Sequence, residues 1–123
     1  MKQRDTRALG RWGEDLAERH LTRQGFRIVA RNVHLRHAEL DLVALERGAL
    51  VFVEVRLRSS ARFGSAEESV DARKRRRIAA AAAELLARGG LPRAARVRFD
   101  VVAIDASCDP PRITHVRDAF SVE

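Results

Sequence analysis

The sequence predicts an α/β fold, a mixed β-sheet flanked by helices with the element order α-β-β-β-α-β. Three observations carry this reading: an amphipathic stripe near the N-terminus, two apolar runs joined by a short turn, and an Ala- and Leu-rich helix before a further alternating run. In residues 6–24, Leu9, Trp12, Leu16, Ala17 and Leu21 fall on one helical stripe, with Trp12 expected in the core, and Gly25 supplies a stop. Residues 26–33 alternate as a strand. The runs 39–45 and 50–57, separated by Glu46, Arg47, Gly48 and Ala49, form a hairpin. Residues 59–69 make a polar, Gly-containing loop, and residues 70–88 a second helix that ends at Gly89-Gly90. Residues 96–104 alternate as a strand with Phe99 and Val101 on one face, 108–111 turn, and 112–117 form a last short strand. The expected organisation is a single domain over 1–123, with its core at about 8–104 and a C-terminal extension at 105–123.

Composition narrows the function. Hydrophobic residues at 46% and charged ones at 33% give a chain that can fill a core and is not a disordered tail. The net charge of +7 is that of proteins that meet polyanions, so nucleic acid leads the expected partners. Lys2 and Lys74 are the only lysines, and the surplus of Arg and Ala suits a GC-rich genome, which discounts part of the charge argument. The single Cys108 excludes an internal disulfide and a thiolate zinc site. Residues 1–11 carry no apolar segment, and runs such as 78–83 fall far short of the roughly 20 residues of a membrane span, so a soluble cytoplasmic protein without a membrane partner is expected. With no Tyr and few aromatics there is no stacking platform for single-stranded bases, which favours duplex or branched substrates.

The hairpin is the informative element. A turn at Arg47-Gly48 places Asp41 across from Glu54, Glu39 across from Arg56 and His37 across from Arg58, on a face whose turn end carries Val43, Leu45, Leu50 and Phe52. The opposite face, with Leu40, Leu42, Ala44, Val51, Val53, Val55 and Leu57, is expected to be unbroken core. Opposed carboxylates about 5 Å apart at Cβ repel each other and need compensation. A hard divalent cation such as Mg²⁺ compensates them, and so does a salt-bridged cluster of Asp41, Glu54, Arg56 and Glu39; both readings stay open from the hairpin alone. The cation run Arg73, Lys74, Arg75, Arg76 and Arg77 crowds like charge into the early turns of a helix, where phosphate would relieve it; together with Arg58 it is the expected nucleic-acid grip. His34 and His37 carry little expectation as metal ligands, although His37 is expected near the substrate.

Gly13-Glu14, residues 38–43 (Ala-Glu-Leu-Asp-Leu-Val), residues 51–56 (Val-Phe-Val-Glu-Val-Arg), Lys74 with Arg77-Ile78, and residues 98–102 (Arg-Phe-Asp-Val-Val) together resemble the YraN family. These are small bacterial proteins with a restriction-endonuclease-like fold, similar to Holliday junction resolvases and other PD-(D/E)xK nucleases. The resemblance implies that Glu14, Asp41 and Glu54 bind Mg²⁺ or Mn²⁺ and that the position of Arg56 is the lysine that helps activate water. Two departures stand out: Ala38 replaces the usual Gly, and Arg56 replaces the Lys. Arginine stays charged at any working pH and cannot pass a proton as a shifted lysine does, although it still stabilises a pentacovalent phosphate. The implied function is an Mg²⁺-dependent phosphodiesterase acting on duplex or branched DNA, with activity weakened by Arg56, carried by Lys74 or Arg58, or lost. The alternative is a non-catalytic nucleic-acid-binding module on the same fold. A homodimer is expected by analogy with resolvase-like folds.

Overall fold

Residues 6–58 and 69–121 are described by the computed structural model. Most of the expected 59–69 loop, including all but Ser69, lies outside the described residues. The first helical stripe becomes α1 (Thr6–Arg23), followed by β1 (Arg27–His34), β2 (Glu39–Glu46), β3 (Ala49–Arg58), α2 (Ala72–Arg88), β4 (Arg96–Asp105) and β5 (Arg112–Phe120). The strands form one five-stranded sheet in the order β1-β2-β3-β4-β5. Only β3 and β4 run parallel, with α2 as their crossover, so the sheet is mixed as the sequence predicts.

Helices cover both faces. Gly13, Ala17 and Leu21, four residues apart, make the buried line of α1; Ala17 and Leu21 pack with Leu42, Ala44, Val51, Val53, Val102 and Ile104. Trp12 lies beside that line and stands 37% exposed, which corrects its expected place in the core. On the other face, Ile78, Ala81 and Ala82 of α2 pack with Val43, Leu50, Phe52, Val101 and Phe120. Asp71 caps α2, its carboxylate accepting the Lys74 N–H at 2.8 Å. No helix among the described residues is long and apolar enough to cross a membrane.

The chain after residue 104 is part of the sheet. β5 pairs along β4 and continues past the expected stop at 117, because Asp118 takes φ +51 and a register shift lets Phe120 stack on Phe99 at 5.2 Å between ring centroids. The C-terminal segment therefore completes the sheet as an edge strand and is not an appendage.

Candidate active site

The hairpin forms in the predicted register. Arg47 and Gly48 both take positive φ, the two-residue turn that matches strand twist, and Leu42 pairs with Val53, Val43 with Phe52 and Glu46 with Ala49. The pairing ends one residue short of the acids. There the N–H of Val55 donates to Asp41 Oδ2 at 2.8 Å, so a side chain takes over where the backbone ladder stops.

Strand alternation breaks at the same place. Leu40 packs into the α2-side core and Leu42 into the α1-side core, although residues two apart in a regular strand share a face. The expected unbroken apolar face from Leu40 to Leu57 is thus corrected at both ends, since Leu57 is 36% exposed. Asn32, at φ +55 on β1, lies in the matching interval, between the Arg31–Leu42 and Val33–Leu40 pairs. The kink brings the Asp41 carboxyl to Glu14 on α1, while Glu54 meets Lys74 on α2. Asp41 and Glu54 still meet side by side, their carboxyls within hydrogen-bonding reach of each other, so the pair links Glu14 on one side of the sheet to Lys74 on the other.

Four carboxyls gather there. Ligand oxygens of Glu14, Glu39 and Asp41 lie within 4.8 Å of one another. Glu14 is buried and its Oε1 stands 3.6 Å from Arg31 Nε. The preceding Gly13 faces Ile104, Leu57 and Val55, and a Cβ there would be 3.8–3.9 Å from them, so a bulky residue would push α1 and Glu14 away from the sheet. Burial raises the Asp41 pKa, and the Glu54 carboxylate raises it further, to about 8, against the opposing hydrogen bond from Val55. A chelated cation would remove this conflict, and an all-oxygen donor set suits Mg²⁺ or Mn²⁺.

The cations divide into distinct groups. Glu54, 6% exposed, has Arg56 Nη1 at 3.6 Å and Lys74 Nζ at 3.7 Å from the same oxygen. Arg56, Arg73, Lys74 and Arg77 line one hollow beside it, with Ser69 and Asp71. Arg75 is turned elsewhere: its Nε donates to the Val70 carbonyl at 2.8 Å and its guanidinium lies 5.4 Å over the Phe120 ring. Arg76 is exposed and outside that hollow, while Arg58 neighbours the Asp105 charge on β4. On the α1 side, Arg7, Arg11 and His34 share a second hollow with Glu14 and Glu39.

Sequence reasoning missed the role of Glu39. The strict register assigned it to Arg56; in the fold it pairs with His34 at 3.0 Å and joins the acid group. The signal was its spacing of two from Asp41, which keeps both on one side up to the kink. His37 lines a separate hollow with Ala80, Ala83 and Glu84 of α2. A second polar group was also unread: fully buried Asp100 accepts from Arg98 Nε at 2.8 Å and from the Asp118 N–H at 2.9 Å, and pairs with His115 Nε2 at 2.8 Å. Burial opposes its ionisation, but these partners outweigh that and hold its pKa below the usual range. Glu46 accepts from Arg98 and from Arg117, so this network ties β5 to the central strands.

Fold and site together define a class, an α/β domain with helices on both faces of a mixed sheet that gathers carboxylates at a kinked hairpin. The chain belongs to the uncharacterised protein family UPF0102, the YraN family, whose model matches residues 13–104. That span contains all four acids and the hollow on α2. Among its relatives, a UPF0102 protein of Rhodococcus jostii is 52% identical over 92% of this chain and 96% of its own length. A UPF0102 protein of Frankia casuarinae is 49% identical over 92% and 96%, and one of Syntrophotalea carbinolica 42% over 94% of each.

Proposed function

We propose that the chain is a metal-dependent phosphodiesterase acting on DNA, with Mg²⁺ or Mn²⁺ held by Asp41, Glu54 and Glu14, and with Glu39 as an additional oxygen donor. The observation that carries the reading is the convergence of these carboxyls next to a hollow lined by four cationic side chains. The Glu14, Glu39 and Asp41 oxygens, within 4.8 Å of one another, fit a hard divalent ion, and Glu54 adjoins them through Asp41. When bound, such an ion supplies Lewis-acid polarisation of a phosphoryl oxygen and a more acidic water.

The protein's own groups do the rest. Asp41 is held by the Val55 N–H and Glu14 is steadied by Arg31, so the donor atoms are fixed before any ligand arrives. Arg56, Arg73 and Arg77 bind phosphate oxygens in the hollow and set the backbone beside the acids. The test is calorimetric titration with Mn²⁺ and cleavage of supercoiled, linear and branched DNA, for wild type and Asp41→Ala. Metal binding and nicking that both vanish in the variant support the reading; weak binding equal in the two proteins ends it. A second reading, a non-catalytic nucleic-acid-binding module, is favoured by the two cations already on Glu54. It expects DNA retention at low salt with no cleavage in any divalent ion.

A further inference from the structure

We infer that Lys74, carried on α2, is a catalytic residue of this site: its ammonium contacts the phosphate under attack and supplies the charge that Arg56 on β3 does not. The inference rests on the phosphodiesterase reading above. Three observations lead to it. Lys74 Nζ is 3.7 Å from Glu54 Oε2, the most buried of the four acids at 6% residue exposure, and its side chain also lines the hollow with Arg73 and Arg77. It thus faces a buried metal-ligand candidate and an open phosphate site at once. Its backbone is pinned as well, because its N–H is the one the Asp71 cap accepts at 2.8 Å. Finally, the chain holds two lysines, Lys2 and Lys74, among 24 Lys and Arg residues, and Lys74 is the only one among the described residues. In a sequence that otherwise writes Arg for nearly every cation, the exception stands against the acid site.

Chemistry separates the two cations on Glu54. An ammonium is a compact point charge with three donors spread around nitrogen, so one can lie on Glu54 while the others meet phosphate oxygens. The guanidinium of Arg56 is a planar fork whose donors lie in one plane, which suits docking of a flanking phosphate more than a shared contact. In the hydrolysis, the oxygen of water bonds to phosphorus and the bond to the leaving oxygen breaks. One water proton ends on that leaving alcohol, and the other stays on the phosphate monoester or passes to solvent. Lys74 is unchanged by the step and acts as fixed positive charge on the oxygens of the trigonal-bipyramidal transition state.

The experiment uses the full chain with Lys74→Ala, Lys74→Arg, Arg56→Ala and the double variant Lys74→Ala/Arg56→Lys. Mn²⁺-dependent DNA cleavage is measured beside DNA affinity and binding of Mn²⁺ alone. We expect kcat to fall about 100-fold in Lys74→Ala and in Lys74→Arg, the size of losing one preorganised charge in an active site. DNA affinity of Lys74→Arg should stay within about twofold, since its net charge is kept. Arg56→Ala should lose less than about tenfold in kcat and show its effect mainly in KM, and the double variant should recover part of the rate. Mn²⁺ should bind several-fold more tightly to Lys74→Ala, because the cation beside Glu54 is gone. A Lys74→Arg rate within about threefold of wild type overturns the assignment while leaving the phosphodiesterase reading intact. A wild-type protein that binds no Mn²⁺ and cleaves no DNA removes both.

Discussion

Replacing Asp41 by Asn should stabilise the metal-free protein, and more so at high pH. Burial and then the neighbouring Glu54 charge push the Asp41 pKa from 3.8 to about 8. An acid whose pKa is raised by folding is most favourable to the native state below its unfolded value, and that advantage is lost as pH rises through the folded one; here the window is 3.8 to about 8. Roughly four pH decades at about 1.4 kcal/mol each give an upper bound near 6 kcal/mol. Relaxation of the protein and of nearby water around a charged Asp41 brings the figure down to about 3 kcal/mol. Asparagine keeps an oxygen for the Val55 N–H and can donate to Glu54, so it mimics the protonated acid without adding volume. Thermal unfolding with a chelator should show the variant about 10 °C above wild type near pH 9, at roughly 3–5 °C per kcal/mol for a domain of this size, and within a few degrees near pH 4. An increment equal at the two pH values, or a variant less stable near pH 9, would refute the argument that burial and Glu54 oppose the Asp41 charge.

Three further outcomes follow from the same geometry. Binding of Mn²⁺ must displace the Asp41 proton below about pH 8, so calorimetry in buffers of different ionisation enthalpy near pH 7 should report close to one proton released, and none in Asp41→Asn. The log-log salt slope of DNA binding should flatten by about two on changing Arg73 and Arg77 to Ala, whereas Arg75→Ala should lower the melting temperature through Val70 and Phe120 and hardly alter the slope. Asp100→Ala removes the buried carboxylate shared by half-buried Arg98 and by His115, and should cost about 3 kcal/mol in urea unfolding with no change in Mn²⁺ affinity.

The sheet and the hairpin register were legible because they depend on local signals: period-two apolar runs on either side of Arg47-Gly48 fix which residues face which. The kink was not. It arises from an irregularity shared by two strands, with Asn32 opposite Asp41, and neither position holds the Gly or Pro that would announce it. For the same reason the strict register gave Glu39 to Arg56, when Glu39 belongs with the other acids. The Asp100 network was invisible because its partners come from β2, β4 and β5, and alternation says nothing about pairings between distant segments. The equivalence of the cations in 73–77 failed on helical geometry: Lys74 and Arg77 share a side three residues apart, while Arg75 turns to Phe120.

The Arg47-Gly48 turn lies six or more residues along the hairpin from Asp41 and Glu54, about 20 Å at the rise of an extended chain. Arg47 is exposed there, and the Gly48 carbonyl is tied to the Ala95 N–H at 2.8 Å. That corner is a handle: a fluorophore or surface tether attached through residue 47 would let nucleic-acid binding be tested from the far end of the hairpin while leaving the acids and the α2 hollow untouched.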